Sequence, residues 1–124
     1  MIDFKNAAFV NLKQIDNSAY SSMISTMLVP GEEIITTFRA MRDGVVFTNK
    51  RIFAINVQGI TGKKIDFSSL PYSKIQAFSV ETAGTWDLDS ELDLWFSGLG
   101  HVKFDFIRST NIAEICRMIS ELVL

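Results

Sequence analysis

A chain of 124 residues, 48% hydrophobic with ten phenylalanines, is long enough to bury a core without staples and is expected to be a packed globule rather than a disordered chain. A net charge of −2 excludes a generally basic nucleic-acid binder and leaves room only for a local basic patch. A single cysteine excludes an internal disulfide, and no apolar run approaches the ~20 residues that a membrane-spanning helix needs.

The opening residues, Met1 to Asn6, lack a basic start followed by an apolar run, so a soluble cytoplasmic protein is expected. Phe4, Ala8, Leu12 and Ile15 share one face at helical spacing, although Phe9 and Val10 interrupt the pattern. A cleaner stripe follows in Tyr20, Met23, Ile24, Met27 and Leu28, with Asp16, Asn17 and Ser18 as helix-start residues and Pro30-Gly31 as the stop. Residues 1–30 therefore read as a helical lead-in.

From Glu32 the period changes to two. Ile34, Thr36, Phe38 and Ala40 oppose Ile35, Thr37, Arg39 and Met41, and Asp43-Gly44 is a hairpin-turn signal. Val45 to Thr48 is a short strand, Asn49-Lys50 turns it, and Arg51 to Val57 runs back. A loop with two glycines, 58–62, leads to a strand over Lys63 to Ser68; Pro71 ends it, and Tyr72 to Glu81 gives another. Residues 87 to 96 alternate, with Leu88, Leu92, Leu94 and Phe96 inward. Gly98-Leu99-Gly100 is a hairpin loop that would set Phe96 opposite Val102 and Trp95 opposite Lys103. Val102, Phe104 and Phe106 face inward on the seventh strand. Asn111 and Glu114 form a capping-box-like start to a final helix whose stripe is Ile112, Ile115, Cys116, Ile119, Leu122 and Val123. The fold expected for 1–124 is a single mainly-β domain: seven antiparallel strands over 32–108 in a bent barrel, plugged by a helix over 111–124.

The run from Asp43 through Thr48-Asn49-Lys50-Arg51 to Ile52, the strand order and the final helix resemble the bacterial pleckstrin-homology-like family. The resemblance extends over nearly the whole chain, including Ser68 to Ile75. It implies a seven-stranded bent barrel capped by its C-terminal helix, and a tendency to form homo-oligomeric rings. Relative to eukaryotic pleckstrin-homology domains that grip phosphoinositides, Arg39 and Arg42 fit the first basic cluster, but Val45, Val46 and Phe47 stand where a second would be. The tryptophans here are Trp86 and Trp95, neither of them in the closing helix.

No nucleophile elbow, phosphate loop or zinc spacing is present, and neither a metal nor a cofactor is expected. His101 beside a hairpin loop and Cys116 on an apolar helix stripe read as structural. Asp87, Asp89, Glu91 and Asp93 lie along one strand face, spaced about 7 Å apart; they read as a solvated or interface face rather than a calcium loop. Trp95 shares that face and Trp86 adjoins it, so these six residues are the candidate oligomer interface, with packing beneath the N-terminal helices as the other reading of the tryptophans.

Successive turns of a meander alternate between its ends. Arg42, Lys63, Lys64 and His101 can then converge as an anion or headgroup site, whereas Lys50 and Arg51 lie at the opposite end. The function expected is a non-enzymatic, self-associating interaction or scaffold module. The alternative is a peripheral module for membranes or anionic phospholipid headgroups.

Overall fold

The sheet begins earlier in the chain than the apolar spacing suggests. The computed structural model describes residues 1–7, 9–85 and 89–124; Ala8, Trp86, Asp87 and Leu88 lie outside the described residues. In place of a helix over Phe4 to Ile15 there is a strand, β1 (Phe9–Ile15). The reason is a bulge. Asn11 takes a φ of 56°, and the pairing register slips between Phe9 and Leu12. The extra residue lets Phe9 and Leu12 both enter the core although they are three apart. A three-residue step between buried positions imitates helical spacing, and Asn tolerates the left-handed conformation it requires.

The second helical stripe shrinks to α1 (Ser21–Ile24). Asp16 accepts hydrogen bonds from the Ser18 N–H and hydroxyl, making a local turn instead of a helix cap. Tyr20 and Ile24 are buried while Met23 and Met27 face outward. The remaining strands are β2 (Ile34–Ala40), β3 (Asp43–Thr48), β4 (Arg51–Gln58), β5 (Lys64–Pro71), β6 (Ile75–Glu81), β7 (Ser90–Phe96) and β8 (Gly100–Phe106), followed by α2 (Ile112–Val123). All seven expected strands are present, and β1 makes eight among the described residues.

The strand order is β5-β4-β3-β2-β1-β8-β7-β6. Neighbours are antiparallel except β1 and β8, which run parallel. β1 thus joins two meanders into one bent sheet, which no seven-strand meander could do. The two edge strands, β5 and β6, are connected through a 3₁₀ turn at Tyr72–Lys74. α2 packs on β6, this turn and β7. Its Asn111 side chain accepts from the Glu114 N–H at 3.2 Å, and Ile112, Ile115 and Ile119 plug the interior.

The inner core gathers Phe9, Leu12, Phe38, Phe47, Phe104 and Phe106 with their neighbours. A second cluster lies on the outer face of the β2–β5 half, where Tyr20 and Ile24 cover Val46, Phe53 and Ile55. Both faces of β3 and β4 are therefore buried. Gly44 is what lets Tyr20 settle there: a Cβ at this position would meet the Tyr20 ring at 2.4–2.6 Å. The expected turn at Asp43-Gly44 accordingly lies two residues earlier, at Met41 and Arg42, with Ala40 paired to Asp43. Asp43 turns inward and accepts from the Val57 N–H and the Asn56 amide.

Candidate functional site

Three regions carry the polar chemistry. The first is the turn at Thr48-Asn49-Lys50-Arg51. Thr48 Oγ1 accepts from the backbone N–H groups of Lys50 and Arg51, and Asn49 bonds to the backbone of Gly31 and Glu33. The Arg51 guanidinium donates to both Glu32 oxygens at 2.8–2.9 Å, to the Met27 carbonyl and to Ser69, and lies over the Phe53 ring. Glu32 also accepts from Thr48 Oγ1 and the Val29 N–H. Burial pushes the Glu32 carboxyl up, but the bonds from Arg51, Thr48 and Val29, with the Arg51 charge, outweigh it and hold the pKa below the usual range. Tyr72 donates to the Thr48 carbonyl at 2.7 Å, and burial pushes its phenol well up. The side chains of Thr48, Asn49 and Arg51 are spent on the fold, while that of Lys50 is exposed. Glu32, seventeen residues before Asn49, carried no local signal of its role.

The second region is the tip formed by the β2–β3 turn and the β4–β5 loop. Arg42 Nη1 donates to the Gly59 carbonyl at 2.6 Å, so its guanidinium lies across the loop that leads to Lys63 and Lys64. These three expected residues are brought to one end and are exposed. Lys50 and Arg51 are not: in the β4–β5 ladder Arg51 pairs with Pro71, and Lys64 pairs with Gln58, seven residue steps or about 23 Å away. His101 has other partners.

The third region is the outer face of β6, β7 and β8. Trp95 pairs with His101 rather than Lys103, because the hairpin loop is 97–99 and Phe96 meets Gly100. The two rings stack at 4.9 Å and 23°. His101 Nε2 lies 2.6 Å from Asp93 Oδ1, and Lys103 reaches Glu91 at 2.6 Å. Glu81 of β6 stands opposite Glu91, and carboxylate oxygens of Glu81, Glu91 and Asp93 come within 4.8 Å of one another. Side-chain convergence across strands thus beats the spacing along one strand. A hydrogen bond to Glu81, and then one from Lys103, hold Glu91 below its usual pKa; burial, with the neighbouring Glu91 charge, raises Asp93. This arrangement could hold an oxygen-seeking cation, but Lys103 already brings positive charge to it and His101 occupies Asp93. Asp89 is half-buried just before β7; Trp86 and Asp87, the other two interface candidates, lie outside the described residues. Trp95 itself is 40% exposed, and the N-terminal helix covers the other half of the sheet, so packing beneath that helix is not its role. Beside this face is a half-open cavity of about 580 Å³ between β8 and the N-terminal segment, lined by Ile2, Phe4, Phe9, Leu99, His101 and Lys103 among others.

The family model for the bacterial PH domain matches residues 3–123. The chain belongs to the bacterial PH domain family. This PH domain is 41% identical over 112 residues to the uncharacterized protein YjqA of Bacillus subtilis (strain 168), covering 89% of this chain and 90% of the relative. A DUF1696 family protein with a pleckstrin-homology domain from Shewanella loihica PV-4 superposes with a TM-score of 0.82 at 35% identity, over 93% of this chain and 99% of that one. The pleckstrin-homology domain from Shewanella amazonensis SB2B gives 0.68 at 38% identity, over 96% and 93%. The resemblance read from Asp43 to Ile52 is borne out, as is the PH-like fold. Among the described residues of this PH domain no helix is long and apolar enough to cross a membrane.

Proposed function

We propose that this PH domain is a non-enzymatic interaction module that self-associates through the outer face of β7 and β8, in an assembly that closes as a ring. The observation that supports it is Trp95, 40% exposed near the hairpin end of a polar sheet face and stacked on His101. A large ring already ordered in the free protein loses little freedom on docking, which makes it a strong interface anchor. The same face carries both signs of charge, Glu91 and Asp93 beside Lys103. In the head-to-tail contact that closes a ring, this mixed-charge face meets a different surface of the next copy with opposite charges opposed. The family supports a role without catalysis: its relatives here are PH domains and uncharacterized proteins.

Light scattering coupled to gel filtration is the test. The expected mass is several times 13.9 kDa for the native chain, and one protomer for Trp95→Glu with an unchanged circular dichroism spectrum. A native chain that elutes as a clean monomer at micromolar concentration would remove this reading.

A further inference from the structure

β8 is paired along its whole length on one side only. β7 accompanies it from Gly100 to Phe106, whereas pairing with β1 begins at Phe9 opposite Phe104. The Ile107 N–H donates to the Leu12 carbonyl, so the alternate residues back along β8, namely Asp105, Lys103 and His101, aim their backbone groups at this side. The His101 N–H and carbonyl and the Lys103 N–H lie ahead of the start of β1, and no strand among the described residues stands beside them. The chain upstream of β1 does not fill the place. The Ala7 N–H turns back to the Asp3 carbonyl at 2.8 Å, and the Asp3 carboxylate accepts from the Lys5 N–H and the Asn6 amide, so residues 3–7 form a turn instead of extending β1.

The half-open cavity of about 580 Å³ lies in this gap, within the range of about 300–1,000 Å³ usual for ligand pockets. Ile2, Phe4, Phe9 and Leu99 give it apolar walls, with the Phe4 ring stacked 6.2 Å from that of Phe9. The open charge at its mouth is positive. Lys103 is answered by Glu91 and Asp105, and the Asp3 carboxylate is taken up in its own turn. Lys5 also lines the cavity, is exposed, and forms no ion pair among the described residues.

We propose that this gap takes the C-terminal residues of a partner protein as an added strand, parallel to β8 and in line with β1. One peptide residue donates its N–H to the His101 carbonyl and accepts the Lys103 N–H at its own carbonyl; alternate apolar side chains enter between Phe4, Phe9 and Leu99; the terminal carboxylate meets Lys5. Backbone groups at strand spacing select a backbone, since a small apolar molecule would fill the cavity and leave them unpaired. The free stretch Gly100–Lys103 is about 13 Å long, room for about four residues. β1 occupies the same line from Phe9 onward, so a strand placed here must end there, and parallel to β8 that end is the carboxyl end.

Titration of the ¹⁵N-labelled native chain with the acetylated peptide Ser-Thr-Val-Phe-Val, its carboxylate free, tests this by NMR and calorimetry. Amide shifts should centre on residues 1–10 and 99–105, with slowed exchange at the His101 and Lys103 N–H groups. Only alternate residues of an added strand face β8, so N-methylating one alternate set should weaken binding by about tenfold or more and the other set hardly at all. Amidating the peptide's C-terminus should cost about fivefold, and Lys5→Glu, an exposed change that should melt like the native chain, should reverse that preference in favour of the amide. No binding at millimolar peptide overturns the proposal, as do equal binding by both N-methylated sets, indifference of the native chain to amidation, or shifts centred on the free edge of β6. Peptide binding by a chain that is a clean monomer supports it while removing self-association, so the two readings fail separately.

Discussion

Replacing Arg51 by leucine would leave the Glu32 carboxylate inside the protein without its counter-charge. The Glu32 side chain has 0% exposure, and Arg51 supplies two of its hydrogen bonds, at 2.8 and 2.9 Å. Thr48 Oγ1 at 2.7 Å and the Val29 N–H at 3.0 Å would remain. Removing one partner of a buried pair typically costs about 3–5 kcal/mol, and the two surviving bonds place this case near the lower end, at ~3 kcal/mol. For 124 residues the melting entropy is about 0.26 kcal/mol/K, so the midpoint should fall by ~12 °C. Urea titration and thermal melting followed by circular dichroism would read this. The pH dependence is diagnostic. In the native chain the Glu32 pKa lies below its usual 4.5, so the stability it contributes is complete above that value and is lost as pH falls through the lowered one. In the variant, burial without Arg51 raises the Glu32 pKa, and the deficit should narrow as the carboxyl becomes protonated. Glu32→Leu combined with Arg51→Leu should be more stable than Arg51→Leu alone. A single-variant loss under ~1 kcal/mol that does not vary with pH would refute the reasoning, because the pair would then be screened by water.

Gly44→Ala should destabilise by roughly 2–3 kcal/mol, because the new Cβ meets the Tyr20 ring at 2.4 Å; adding Tyr20→Leu should recover part of the loss in the same urea titration. Tyr72→Phe should cost about 1–1.5 kcal/mol by leaving the buried Thr48 carbonyl without its phenol donor, with no change in secondary structure by circular dichroism.

Most of the later strands and the closing helix were legible because one face must be apolar, which stamps a period of two or 3.6 on the residues themselves; β3 and β4, buried on both faces, were legible as short apolar runs bounded by turns. β1 was not: its bulge at Asn11 replaces the two-residue period by a three-residue step, and only the parallel register with β8 shows that this step belongs to a strand. Gly44 looked like a turn residue because both turns and close approaches select glycine, and sequence cannot separate the two. Of the candidate residues, Arg42, Lys63 and Lys64 were placed at one end correctly, since turn alternation is a property of any meander. His101 left that group because the β7–β8 register sets it beside Trp95 and Asp93.

The sequence by itself determined the seven-strand alternation, the Thr48 to Arg51 turn and the family, all carried by short-range patterns. Tertiary structure alone decided that Glu32 sits under Arg51, that Glu81 joins Glu91 and Asp93, and that Met41 and Ile60 stand free at one tip. Those are contacts, or absences of contact, between residues that lie far apart in the chain. Burial and charge pairing depend on which segments fold together, and no local period encodes that.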